Sequence, residues 1–135
     1  MLMTDDSPRG TILLVDDNMH IRRLAKVHLE RAGYTVITAA DGEEGLHVYE
    51  RHRSCVVLLL TDVAMPKING LELADRVLGL DSNLPVVLMS GDAPYEYRDL
   101  EWLAKPFAPT ELIEMVRRAM SASAQPQRAV ADSAA

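Results

Sequence analysis

The sequence has a single cysteine, Cys55, so no internal disulfide can form and a reducing compartment is expected. It also lacks a basic cluster. The densest is the pair Arg117-Arg118, in a chain of formal net charge −6, which argues against nucleic acid as a partner. No apolar run approaches the roughly 18 residues of a membrane span, so no membrane partner is expected. The opening Met1-Leu2-Met3-Thr4-Asp5-Asp6 is too short and too acidic for a secretory signal. These absences together point to a cytoplasmic protein. The four histidines offer no metal set, since His47 and His52 lie five apart, off a common helical face. His28 falls on an inward helical stripe and reads as a partly buried, hydrogen-bonded histidine.

What is present is one domain's worth of chain: 135 residues, 48% of them hydrophobic. Residues 1–10 read as a flexible leader and residues 121–135 as a disordered tail with little to bury. Between them, strand and helix patterns alternate. Thr11–Val15 is a short apolar strand. Met19–Ala32 is helical, with Ile21, Leu24, Ala25, His28 and Ala32 on one face. Gly33 closes that helix, and Tyr34–Ala39 is a β-branched strand. Asp41 and Glu44 suggest a capping box for a helix to about His52. Cys55 begins the next strand and reads as a small buried hydrophobe. Asn69 and Glu72 can cap a helix to about Leu78. Pro85–Ser90 is strand four, and Trp102–Ala104 a short strand five. Pro109 opens a last helix with Leu112, Ile113, Val116, Ala119 and Met120 inward. Such alternation predicts a doubly wound α/β fold with a five-stranded parallel sheet, taken here in the order 2-1-3-4-5 common among such folds.

The run Val56 to Leu60 is five aliphatic residues, then Thr61-Asp62 and, soon after, Pro66. It has the character of a central strand buried on both faces, delivering a carboxylate to the sheet edge where α/β folds bind ligands. Asp16-Asp17 follow strand one, Ser90 ends strand four, and Lys105-Pro106 follow strand five. In the 2-1-3-4-5 order these groups converge. Three carboxylates brought together repel one another unless a cation neutralises them, and Mg²⁺ is the usual oxygen-bound choice beside phosphate. A lysine and a hydroxyl suit a phosphoryl group, so the set fits phosphoryl transfer to Asp62.

LLVDDN, LLLTDVAMPKINGLEL, VVLMSGD and LAKPF, in that order, resemble the receiver domain of two-component response regulators over about residues 11–120. The resemblance implies that Asp62 is phosphorylated by a sensor histidine kinase or a phosphotransfer protein. It implies Mg²⁺ bound by Asp16, Asp17, Asp62 and the backbone carbonyl of Ala64. Lys105 would contact the phosphoryl oxygens and Ser90 would hydrogen-bond the acyl phosphate as a switch. Pro106 matches the family's cis-proline position, and Pro66 and Gly70 the turn after the phosphoacceptor. The downstream partner would be a protein that the sequence does not identify.

The sequence departs from the family in places. Only 11 residues, GDAPYEYRDLE, separate Ser90 from Trp102, so the usual fourth helix is expected to be shortened or missing. Trp102 stands where the family places a Tyr or Phe switch, and it either rotates likewise or packs as a fixed aromatic, with Tyr95 and Tyr97 nearby. Ala64 and Asp92 occupy positions that tune dephosphorylation in the family. Ala108 offers no side-chain oxygen to cap the last helix. With nothing that could be an output domain after residue 120, the chain reads as either a single-domain regulator or a receiver excised from a larger protein, the Met1 start slightly favouring the former. Two alternatives remain: a receiver that binds its partner regardless of phosphorylation, and an aspartate-nucleophile phosphohydrolase. The latter would want an acid at the Ala64 position. The chain is therefore not expected to be a turnover enzyme, beyond its own phosphorylation and dephosphorylation.

Overall fold

A computed structural model describes residues 10–91 and 100–124. The elements run β1 (Thr11–Val15), α1 (Met19–Arg31), β2 (Thr35–Ala39), α2 (Gly42–His52), β3 (Val56–Asp62), α3 (Gly70–Leu80), β4 (Val86–Ser90), β5 (Glu101–Ala104) and α4 (Pro109–Ala124). All strand pairs are parallel and the sheet order is β2-β1-β3-β4-β5. The predicted doubly wound sheet is therefore present, with element ends within two residues of expectation except in α4, which runs to Ala124.

Strand alternation divides the core. Ile12, Leu14, Leu58, Leu60, Val87 and Met89 point to the face covered by α1 and α4. Leu13, Val15, Leu59, Val86 and Leu88 point to the other face, with α2 and α3. Leu58, Leu59 and Leu60 are wholly buried, so β3 is a central strand packed on both sides. Truncating any one of these three leucines to alanine costs about 2–5 kcal/mol. This is what fixes Asp62 at the end of a rigid strand.

Local chemistry sets the element boundaries. The Asn18 side chain caps α1, accepting from the His20 and Ile21 N–H groups at 2.8 and 3.2 Å. Gly33 turns the chain out of α1 at φ 102°, a conformation that L side chains rarely adopt. Asp41 Oδ1 accepts from Glu44 N–H at 2.8 Å to start α2, and Asn69 Oδ1 accepts from Glu72 N–H at 2.8 Å to start α3. Ala108 has no capping oxygen, but its own N–H donates to Glu111 Oε1 at 2.7 Å, which supplies half of a capping box.

Two packing expectations fail. Leu24 lies on the solvent side of α1, 47% exposed, while Leu29 is fully buried beside Ala25. The inward stripe is thus centred one residue-row away from the predicted one. Cys55 is exposed rather than buried, because it sits in the turn before β3, where its Sγ donates to His52 O at 3.3 Å. His28 is half-buried. The expectations for residues 1–9, for Asp92, Pro94, Tyr95 and Tyr97, and for the tail beyond 124 fall outside the described residues. The expected shortened or missing fourth helix falls on residues 92–99, also outside the described residues; ten residues separate β4 from its parallel neighbour β5. Among the described residues, no helix is long and apolar enough to cross a membrane.

Candidate functional site

The registers Val15↔Thr61, Asp62↔Met89 and Ser90↔Ala104 bring the C-terminal ends of four strands to one edge. Asp16 extends β1 by one rung, its N–H donating to Ala39 O at 3.2 Å. Its side chain is wholly buried, Asp62 is 6% exposed and Ser90 7%, whereas Asp17 is exposed. Carboxylate oxygens of Asp16, Asp17 and Asp62 lie within 4.8 Å of one another, a group that could hold a metal ion. Lys105 Nζ bridges two of them, 2.8 Å from Asp16 Oδ2 and 3.0 Å from Asp62 Oδ1. Its backbone N–H donates to Ser90 O at 2.9 Å, so β4 and the segment after β5 are tied together beside the acids. The Lys105-Pro106 peptide bond is cis, as the family resemblance implied.

Electrostatics follow from this crowding. Burial raises the Asp62 carboxyl above its usual range; the Lys105 hydrogen bond opposes this, and the Asp16 and Asp17 charges add to it. For Lys105, burial alone would weaken the charged form, but the hydrogen bonds to Asp16 and Asp62 outweigh it and raise the ammonium above its usual value. Three acids against one lysine leave the site with an excess of about two negative charges. Hard carboxylate oxygens on a partly exposed edge fit a divalent cation of the Mg²⁺ kind.

The loop after Asp62 is shaped by close backbone approach. Gly70 N–H donates to Val63 O at 2.8 Å, and a Cβ at Gly70 would stand 2.1 Å from Asp62 O, so only glycine fits there. The same is true of Gly42, where a Cβ would meet Ile68 O at 2.1 Å. Lys67 takes φ 69° in this loop, and its ammonium lies 3.6 Å from Asp41 and 3.5 Å from Glu43. Ala64 is exposed within the loop, two residues beyond Asp62.

Trp102 lies apart from the acids. It is half-buried in β5 and lines a groove of about 580 Å³ with Thr110, Glu111, Glu114 and Arg118 of α4. None of Asp16, Asp17, Asp62, Ser90 or Lys105 lines that groove, and the buried Trp102 Nε1 has no hydrogen-bond partner among the described residues. Three contributors escaped the sequence reading. Asn18 was available as a cap, immediately before α1. Gly42 and Arg22 act through contacts that no local pattern displays.

The family model for the response regulator receiver domain matches residues 12–117. This chain belongs to that family. Among solved receivers, the Vibrio cholerae chemotaxis protein CheY4 is 30% identical with a TM-score of 0.76, covering 82% of this chain and 98% of that one. The receiver domain of the hybrid histidine kinase CckA is 37% identical with a TM-score of 0.73, covering 82% and 99%. A probable transcriptional regulator, ycf27 of Cyanophora paradoxa, is 37% identical over 123 residues, which is 85% of this chain and 50% of that protein. The receiver thus spans about half the length of that curated relative. The acidic charge that argues against nucleic acid speaks only for the receiver itself.

Proposed function

We propose that Asp62 accepts a phosphoryl group from a sensor histidine kinase or a phosphotransfer protein in a Mg²⁺-dependent reaction, and that the phosphorylated domain signals through protein contacts. The observation that carries this reading is the convergence of Asp16, Asp17 and Asp62 within 4.8 Å, with Lys105 bridging two of them at the end of a buried strand.

In the transfer, an Asp62 carboxylate oxygen forms a bond to phosphorus as the bond from phosphorus to the donor's imidazole nitrogen breaks. The imidazole keeps the electron pair and takes a proton from solvent. Asp16, Asp17, Asp62 and the Ala64 carbonyl are the groups that would hold Mg²⁺, which supplies charge neutralisation for carboxylates and phosphoryl oxygens alike. Lys105, 3.0 Å from the Asp62 oxygen, offers an ammonium to the transferred group. Ser90, buried at the end of β4, offers a hydroxyl at the same sheet edge. Burial disfavours the Asp62 anion, and a bound cation would offset that penalty alongside Lys105. Turnover on a small substrate is not part of this reading, because Ala64 brings no acid to where a hydrolase needs a general acid and base.

Intact-mass spectrometry after incubation with Mg²⁺ and acetyl phosphate tests it. One phosphoryl group should be gained, and lost both in Asp62→Asn and with a chelator. A gain that survives Asp62→Asn would defeat the assignment.

A further inference from the structure

The three carboxylates are held very unequally. Asp16 has every polar group engaged: its N–H with Ala39 O, Oδ1 with the Asn18 N–H at 2.9 Å, Oδ2 with Lys105 at 2.8 Å, and its carbonyl with Arg22 Nη1 at 2.7 Å. Asp62 is held by its strand and by Lys105. Asp17 is exposed, and no hydrogen bond or ion pair orders its side chain among the described residues. What fixes Asp17 is therefore its backbone, which sets the direction of its Cα–Cβ bond and begins with the peptide unit that precedes it. The oxygen of that unit is the Asp16 carbonyl, which has left the β1 ladder and whose partner is Arg22.

We propose that Arg22, one turn into α1, is a positioning residue for cation binding: its guanidinium anchors the Asp16–Asp17 peptide and so presents the Asp17 carboxylate to the metal. This deepens the functional reading above and rests on it. The guanidinium suits the task because its charged N–H makes a strong hydrogen bond to a carbonyl, and its flat head is fixed once the stem packs. Arg22 is half-buried, and its own backbone N–H donates to Asn18 O at 3.0 Å, so the helix that Asn18 caps carries the arginine at a fixed height above the loop. Arg22, Asn18 and Asp16 thus form a closed loop of hydrogen bonds around the β1–α1 turn, through the Asn18 N–H, the Asp16 carbonyl and the Arg22 backbone N–H. Groups that orient metal ligands without touching the metal typically matter by 10–100-fold in affinity.

Electrostatics alone predicts the opposite sign. Arg22 is a cation near a cation site, so removing its charge should tighten Mg²⁺ binding if the guanidinium did nothing but repel. The direction of the change therefore decides.

The test is calorimetric titration of MgCl₂ into wild type, Arg22→Met, Arg22→Lys and Asp17→Asn, without phosphodonor, under conditions where each is folded by circular dichroism. We expect Arg22→Met to bind about tenfold more weakly, with Arg22→Lys between it and wild type. Unchanged or tighter binding by Arg22→Met, even with a lowered urea midpoint, would overturn the proposal, since a merely structural arginine moves stability and not affinity. Should Arg22→Met not fold, Arg22→Lys decides in the same way: weaker binding upholds the role and wild-type affinity refutes it. If wild type and Asp17→Asn bind alike, the metal site itself is misassigned and both readings fall, a result distinguishable from failure of Arg22 alone.

Discussion

Lys105→Met is the substitution whose cost follows most directly from the geometry. The lysine neutralises part of a buried acid pair, 2.8 Å from Asp16 and 3.0 Å from Asp62. Methionine keeps most of the stem and removes the charge, leaving two carboxylates facing each other in a site that water reaches poorly. Breaking a buried ion pair by deleting one partner costs about 3–5 kcal/mol. The Lys105 side chain is 21% exposed, which lets water in and moves the expectation to the low end, about 2–3 kcal/mol. Urea unfolding at neutral pH without divalent ions should show this as a midpoint lowered by about 1–2 M with an unchanged slope. The pH dependence has a definite sign. Asp62 already has a folded-state pKa above its unfolded value of 3.8, so the folded state binds the proton more readily. Losing Lys105 raises it further. The deficit should therefore shrink as pH falls toward the raised folded-state value, where the folded protein begins to protonate the site. A second change, Asp62→Asn, should recover most of the loss, because the pair would no longer be two anions. A cost below about 0.5 kcal/mol, or a deficit that grows on acidification, would refute the reasoning.

Other expectations rest on separate contacts. Asp62→Asn alone should raise metal-free stability at neutral pH, on the order of 1 kcal/mol, and a fall in the urea midpoint would contradict a raised Asp62 pKa. Gly70→Ala should cost about 1–3 kcal/mol, because its Cβ would stand 2.1 Å from Asp62 O. Gly79→Ala, where nothing lies within 4 Å, should stabilise by about 0.5–1 kcal/mol; thermal melts of the two variants should move in opposite directions. Asp41→Ala should cost about 1 kcal/mol at neutral pH through its lost cap. The Glu44 N–H holds the Asp41 carboxyl below its usual 3.8, so its stabilisation is present above that value. It is lost as pH falls through the lowered folded-state value, and the two proteins' stabilities should converge in strong acid.

The site was legible because it is written at strand ends. The aliphatic run of β3 announced a doubly buried strand and the alternation a doubly wound sheet; with the strands taken in the order 2-1-3-4-5, Asp16, Asp17, Asp62, Ser90 and Lys105 fall at one edge. The failures have local causes. In α1, apolar residues lie on more than one side of the helix, so periodicity could not choose between the Leu24 and Leu29 rows; the choice is made by the sheet beneath and by α4 alongside. Cys55 stands next to a strand without belonging to it, and a one-residue boundary decides between core and solvent. Gly42 and Arg22 matter through partners at Ile68 and Asp16, and nothing in a linear pattern reports a close approach across a fold.

The central claim is that one particular acid is the phosphoacceptor. Its most direct test is borohydride reduction of the protein after phosphorylation with Mg²⁺ and acetyl phosphate, which converts an aspartyl phosphate to homoserine, followed by peptide sequencing in the mass spectrometer. Homoserine at position 62 is the predicted result. Homoserine at 16 or 17, or at an acid outside this edge of the sheet, would contradict the account.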